Sequence, residues 1–271
     1  GYKKSDYDEC VWEYKNGDKK IYIIVYVDDC LVIGDDDYIN DFMKEIQKKY
    51  KIRALGEAET FLGMEIIRNR KRRTLKIAQS KYITNMAKKF GLENSKPVYT
   101  PLDTRVTLKK AQNESELHPN NDLYRAIIGS LMYAVMLCRI DAVYAVCKLS
   151  RYLNEPTYTH MTQAKRVLAY LYTTKNQGIT YGLKVHDIIG QEISYGYAEA
   201  DFATDLDSRK STTGWIFMYN GGAISWRSNQ QNITALSTCF SCFVSQAYAE
   251  RIGHIPGGDP NSLYQLKSIN I

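Results

Sequence analysis

Ile21-Tyr22-Ile23-Ile24-Val25-Tyr26-Val27-Asp28-Asp29-Cys30-Leu31-Val32-Ile33-Gly34 is an apolar run broken once, by two adjacent carboxylates. Val, Ile and Tyr at this density favour extended backbone, so the stretch predicts a β-hairpin with strands over 21–27 and 30–33. Its flanks read as buried. Burying an ionised carboxylate costs on the order of several kcal/mol unless something compensates, so Asp28 and Asp29 call for a cation. Oxygen-only ligands select a hard ion, Mg²⁺ first. Successive strand side chains point to opposite faces, which makes one Asp the ligand and the other a helper unless a turn lies between them. The bland alternative is a polar turn between two strands. It holds for most Asp-Asp pairs, and the apolar flanks weigh against it here.

Charge is uneven around this hairpin. The formal net charge is +6, yet between Lys44 and Lys89 there are fourteen Lys/Arg against four acids, Glu45, Glu57, Glu59 and Glu65. The densest cluster holds Arg68, Arg70, Lys71, Arg72 and Arg73. Such a stretch suits a phosphate backbone, and beside the carboxylate pair the nucleic-acid reading is preferred to a merely solvated face.

A chain of 271 residues, 44% hydrophobic and 24% charged, is ordinary for a globular protein and long enough for more than one domain. No apolar run reaches about eighteen residues, which argues against a transmembrane helix. The polar start carries no secretory signal, and a chain opening at Gly1 without Met reads as part of something longer. The cysteines Cys10, Cys30, Cys138, Cys147, Cys239 and Cys242 are scattered, which suggests reduced intracellular thiols. Cys239-Phe240-Ser241-Cys242 is formally a C-x-x-C, but with no second pair or nearby His at ligand spacing the sequence argues against zinc or redox use.

Periodicity extends the reading along the chain. Ile39, Phe42, Met43, Ile46 and Tyr50 predict a helix over 37–51, acidic at its start and basic at its end. A second hairpin is expected over 61–67 and 74–78, with Arg70 to Arg73 at its turn, and then a helix over 81–90 closed by Gly91. Residues 96–119 read as a linker or extended connection. Residues 122–153 read as two packed helices with Arg139-Ile140-Asp141 as the joint or N-cap, and 157–173 as an amphipathic helix whose His160 and Lys165 read as surface groups in preference to nucleic-acid contacts. A polar bridge over 181–191 leads to strands over 193–202, 213–220 and 222–228, with Gly221-Gly222 as the tight turn. A weakly patterned helix over 234–249 follows. Gly253, Pro256, Gly257, Gly258 and Pro260 then break structure.

Tyr26-Val27-Asp28-Asp29 with these strands on either side resembles the polymerase motif of reverse transcriptases. The surrounding text resembles the Pol polyprotein of Ty1/copia-type retrotransposons more closely still. Gly1-Tyr2-Lys3-Lys4-Ser5 with Asp8, Phe61-Leu62-Gly63-Met64-Glu65-Ile66, Gln79-Ser80-Lys81-Tyr82-Ile83, Thr100-Pro101-Leu102 and the stretch from Tyr124 to Tyr133 carry the likeness. So do Pro156 with His160, and Lys165-Arg166-Val167-Leu168-Ala169-Tyr170-Leu171. A last block, Ala200-Asp201-Phe202-Ala203, then Arg209 to Gly214, Ala223-Ile224-Ser225-Trp226 and Ala235-Leu236-Ser237-Thr238, resembles the RNase H that follows in that family. The resemblance runs from residue 1 to about 238. It implies an α+β fold: distal palm and thumb over 1–95, a mainly helical connection over 96–185, a partial RNase H-like mixed sheet over 186–250 and a divergent tail over 251–271. It also implies Asp28, Asp29 and Asp201 as catalytic metal ligands, Mg²⁺ as cofactor, and template–primer RNA and DNA or an RNA–DNA hybrid as partners. The expected setting is the cytoplasm, within a virus-like particle, or the nucleus, with no membrane partner.

Both implied sites read as incomplete. Two-metal phosphoryl transfer draws carboxylates from separate backbone segments, and Asp28-Asp29 is one segment; the family's other Asp precedes it, in text this chain does not contain. In the RNase H block the family's helix opens on a segment like Thr-Glu-Ala-Glu-Tyr. Here Phe240 stands where the catalytic Glu is expected, and Asp259 is a poor substitute for the later Asp. Glu199 or Glu250 remains an alternative ligand. An abrupt loss of likeness after residue 238 is what a reading-frame shift produces, and family-like text in another frame of the coding DNA would establish it. Two functional readings follow. One is a polymerase and ribonuclease H by ancestry, inactive as this isolated chain. The other is a catalytically dead or co-opted nucleic-acid-binding remnant.

Overall fold

Alternation along the quoted stretch builds the first sheet. In the computed structural model, which describes residues 1–182, 194–253 and 266–267, strands β1 (Lys3–Lys4), β2 (Val11–Asn16), β3 (Lys19–Tyr26) and β4 (Asp29–Gly34) pair antiparallel in chain order. Directly opposed residues share a face, so Tyr14 with Ile21, and Trp12 with Ile23 and Val32, form one apolar side. Helix α1 (Asp36–Lys49) supplies aromatic partners there, with the Tyr38 ring edge-on to Tyr14 at 5.6 Å and Phe42 edge-on to Tyr2 at 5.6 Å. Lys20 and Asp35 anchor the helix start: the Lys20 amide donates to Asp35 Oδ2 at 2.8 Å, and the Asp35 amide donates to the Lys20 carbonyl at 3.1 Å. Asp36 and Asp37 open α1 and Lys48 and Lys49 close it, as the macrodipole favours.

The chain packs as two units, residues 1–66 and residues 67–271. Strand β5 (Thr60–Phe61) precedes β6 (Met64–Asn69), through which the chain passes from the first unit to the second. In the second, β7 (Thr74–Ala78) pairs antiparallel with β8 (Gly178–Tyr181), Ile77 opposite Ile179. Strand β8 was not expected. Four residues carry too little alternation, and the partner lies a hundred residues back.

Helix α2 (Ser80–Lys89) ends in a Schellman motif: Gly91 takes φ 67°, its amide donates to the Lys88 carbonyl at 3.1 Å, and the Leu92 amide donates to Ala87 at 2.8 Å. Ile83 and Met86 of α2 then join one core with α3 (Asn121–Leu137), α4 (Val143–Leu149) and α5 (Tyr158–Thr173), through Tyr124, Ile127, Leu131, Val146, Val167 and Leu171. Residues 96–119 are irregular, as expected, but they are a strap and not a free linker. Leu108 is buried, Val98, Leu102 and Val106 pack on the helices, and the amides of Val98 and Asp103 donate to Thr173 Oγ1 and Gln163 Oε1.

The last sheet holds β9 (Ser194–Asp201), β10 (Thr212–Tyr219), β11 (Gly222–Gln230) and, beyond helix α6 (Thr238–Gly253), β12 (Leu266–Lys267). Their spatial order is β11-β10-β9-β12, with β12 parallel to β9. The tight turn falls one residue earlier than the two glycines suggested. Asn220 (φ 48°) and Gly221 (φ 81°) form it with Tyr219 opposite Gly222, the geometry of a type I′ turn. Gly222 is instead a strand residue, whose missing Cβ leaves room for the Tyr181 ring. Ile193, the bridge beyond Gly182, and Pro256 to Pro260 lie outside the described residues. Among the described residues no helix is long and apolar enough to cross a membrane.

Candidate functional site

The carboxylate pair sits at the tip of the β3–β4 hairpin. Tyr26 pairs with Asp29, so Val27 and Asp28 are the two loop residues, with Val27 at φ 52°. A positive φ at the first loop position alone is the II′ pattern, which glycine normally fills. A β-branched residue there is strained by about 1–3 kcal/mol. We expect Val27→Gly to raise the stability of the first unit by about 1 kcal/mol, read as a shift in its urea midpoint. An unchanged or lower midpoint would show that the turn carries no strain.

Exposure corrects the burial argument. Tyr26 is 55% and Val27 83% exposed, and Asp28, Asp29 and Cys30 are all exposed. Apolar flanks do not bury this tip, because the buried part of β3 ends at Ile23 and the loop projects beyond it. The two carboxylates need no counter-ion for stability, and their value as ligands rests on donor chemistry alone. Asp28 is the second loop residue and Asp29 begins β4 on the face of Tyr26, so no turn lies between the two carboxylates. Among the described residues no group of three or more His, Cys, Asp or Glu side chains is placed to hold a metal ion.

The basic cluster forms the exposed turn between β6 and β7. Asn69 Oδ1 accepts the Arg72 amide at 2.9 Å, the Arg73 amide donates to the Arg70 carbonyl at 3.3 Å, and Arg73 takes φ 52°. Arg68, Arg70, Lys71, Arg72 and Arg73 are all exposed.

Asp201 ends β9 opposite Thr212 and is exposed. Alternation places Glu199 on the same side of the strand. Ala198, paired with Trp215, packs with Phe217 and Ala249 under α6, so the α6 face is the other one. Asp201 and α6 thus lie on opposite faces of this sheet, a separation the sequence did not reveal. Phe240, at the start of α6, is 45% exposed.

Polar and charged groups whose burial the sequence did not reveal sit among the helices. Arg139, read as part of a joint, is fully buried, donating to Asp141 at 2.6 and 2.9 Å, to Thr174 Oγ1 at 2.6 Å and to the carbonyls of Leu171 and Thr174. Burial acts to raise the Asp141 carboxyl, but the hydrogen bond and charge of Arg139, with the Tyr170 hydroxyl at 2.6 Å, hold it below its ordinary value. Arg151 pairs with buried Asp205 at 3.0 Å, tying the loop after Asp201 to the helices. His160, expected at the surface, is wholly buried: its ring stacks on Tyr152 at 3.8 Å and its Nδ1 accepts the Thr157 amide at 2.9 Å in a capping box. Lys165 is exposed as expected. The Thr157-x-x-His160 spacing was a visible signal of the cap, and His in place of Glu or Gln hid it.

Residues 1–104, which contain the carboxylate hairpin and the basic turn, match the family model for reverse transcriptase (RNA-dependent DNA polymerase). The retrovirus-related Pol polyprotein from transposon TNT 1-94 of Nicotiana tabacum is 36% identical over 244 residues, 88% of this chain and 18% of the relative. That from transposon RE1 of Arabidopsis thaliana is 32% identical over 232 residues, covering 85% of this chain and 15% of the relative. Over most of its length the chain is similar to Pol polyproteins of Ty1/copia-type retrotransposons. A putative transposon Ty5-1 protein of Saccharomyces cerevisiae is 29% identical over 234 residues, covering 85% of this chain and 72% of that protein. The chain spans less than a fifth of the length of the two plant Pol relatives. No solved structure matches it.

Proposed function

We propose that this chain supplies the palm-edge hairpin and thumb of an RNA-directed DNA polymerase, a helical connection, and a degenerate RNase H-like module. The observation that carries the reading is the exposed two-residue turn bearing Asp28 and Asp29 at the tip of an antiparallel hairpin, inside the span that matches the reverse transcriptase model. The all-oxygen donor set suits Mg²⁺, with Asp28 and Asp29 as its ligands. When bound, the ion supplies Lewis-acid charge stabilisation to phosphoryl transfer. Exposure leaves both carboxylates free to receive it and a primer end. In this reading the chain works inside the cell, in the cytoplasm or a virus-like particle, or in the nucleus.

Two adjacent carboxylates on one segment do not complete a two-ion site. The expected result is that the purified chain incorporates no deoxynucleotide on a primed template with Mg²⁺. Incorporation that disappears in Asp28→Asn or Asp29→Asn would refute that.

Support for the RNase H-like module comes from the order β11-β10-β9-β12, with α6 between β11 and the parallel β12, and from Asp201 ending β9. The module does not cleave a hybrid in this reading. Asp201 lies on the face away from α6, so Phe240→Glu restores nothing. Mg²⁺-dependent cleavage abolished by Asp201→Asn would overturn the reading.

Nucleic-acid binding is the second reading, favoured by the exposed turn from Arg68 to Arg73. Four or five phosphate contacts give a slope of log K against log salt of about −3 to −4.5, and neutralising one Arg flattens it by about one unit. Binding that does not respond to salt, or that survives replacement of all five side chains by Ser, rules this out.

A further inference from the structure

Cys239-Phe240-Ser241-Cys242, unused by either reading above, falls on the first turn of α6. Ser237 opens that turn: its Oγ accepts the Phe240 amide at 3.2 Å and its carbonyl accepts the Ser241 amide at 3.1 Å. Cys239 is exposed, Cys242 is half-exposed, and both are free thiols. Residues three apart in an α-helix have Cα atoms about 5 Å apart, from its rise and radius. That lies within the Cα span a disulfide bridges.

The other four cysteines lack this arrangement. The Cys10 carbonyl accepts the Val25 amide from one side of β3 while Cys30 pairs with Val25 from the other, which puts them two strand spacings apart, about 9–10 Å. That exceeds a disulfide's reach. Cys138 is buried with its Sγ on Gln79 Oε1 at 3.1 Å, and burial pushes the Cys147 thiol up.

We propose that Cys239 and Cys242 form a thiol–disulfide exchange site for low-molecular-weight disulfides of the glutathione type. The exposed Cys239 thiolate attacks one sulfur of the small disulfide, breaking its S–S bond and releasing one thiol. The resulting mixed disulfide is then attacked by the Cys242 thiolate, which forms the Cys239–Cys242 bond and releases the second thiol. Two protein thiols are oxidised and one small disulfide is reduced to two thiols. The product locks the first turn of α6 and is reversed by excess reduced thiol.

The test incubates the full chain with oxidised glutathione, then counts free thiols under denaturing conditions and maps linked peptides by mass. The expected result is a loss of two thiols, a Cys239–Cys242 linkage, and recovery with reduced glutathione. Cys242→Ser is expected to trap glutathione on Cys239, because the resolving thiol is gone. Serine closely matches the thiol in size on this exposed turn, and an unchanged circular dichroism spectrum confirms that the variant is folded. Glutathione found only on Cys10 or Cys30, a linkage between two molecules in place of the internal one, or no trapped adduct in folded Cys242→Ser overturns the proposal.

Discussion

Arg139→Met is expected to destabilise the second unit by about 3 kcal/mol, the low end of the cost of breaking a buried ion pair. The guanidinium is wholly buried, and its removal strands the Asp141 carboxylate and takes a donor from the Leu171 carbonyl and from Thr174 Oγ1, while the Thr174 carbonyl keeps the Gln177 amide. Asp141 is 34% exposed, so water reaches it, which is why the low end applies. Urea denaturation followed by tryptophan fluorescence reads the effect, since Trp215 and Trp226 lie in this unit. Adding Asp141→Leu to Arg139→Met should recover part of the loss, because the unpaired charge goes with it. The sign with pH follows from the lowered carboxyl. Its stabilisation is present above the ordinary carboxylate range and is lost as pH falls through the native value. A single variant as stable as the parent would show that the network is ornamental.

The parent chain should lose about 3 kcal/mol between pH 6.5 and pH 4 through His160. Burial depresses its imidazole to about 4, with the Asp207 carboxylate opposing only weakly. The unfolded chain therefore binds a proton across that window that the folded chain does not, so stability is full above pH 6.5 and falls as pH drops towards 4. The ring's geometry gives the same direction. Its Nδ1 accepts the Thr157 amide, which places the proton on Nε2, a buried atom with no hydrogen-bond partner. His160→Gln keeps an acceptor for the Thr157 amide in a Thr-x-x-Gln capping box but does not titrate. Urea midpoints at pH 7 and pH 4.5 should separate for the parent and nearly coincide for the variant. Asp141 and Asp205 titrate below this window, so they do not imitate the effect. An equally steep acid loss in His160→Gln would remove the assignment.

Helix α6 shows where local text and packing part company. Ser241, Ser245 and Ala249 face inward, Ser245 Oγ donating to the Glu199 carbonyl, while Phe243 is 66% exposed. Small polar groups inside and aromatics outside reverse the usual helical stripe.

The sequence by itself determined what depends on near neighbours. Alternation set the β3–β4 hairpin, 3.6-residue spacing set α1, α2, α3 and α5, Gly91 set the end of α2, and the order of short motifs set the family likeness. Only the tertiary structure decided which of those residues are wet. Asp28 and Asp29 look buried in the text and are exposed at a projecting tip, whereas Arg139 and His160 look like a joint and a surface group and are wholly enclosed. Strand β8, the strap over 96–119 and the face of Asp201 turned from α6 were hidden for the same reason. Backbone conformation is biased by residues a few positions away. Burial and facing are set by partners that can lie a hundred positions off, which local pattern cannot encode.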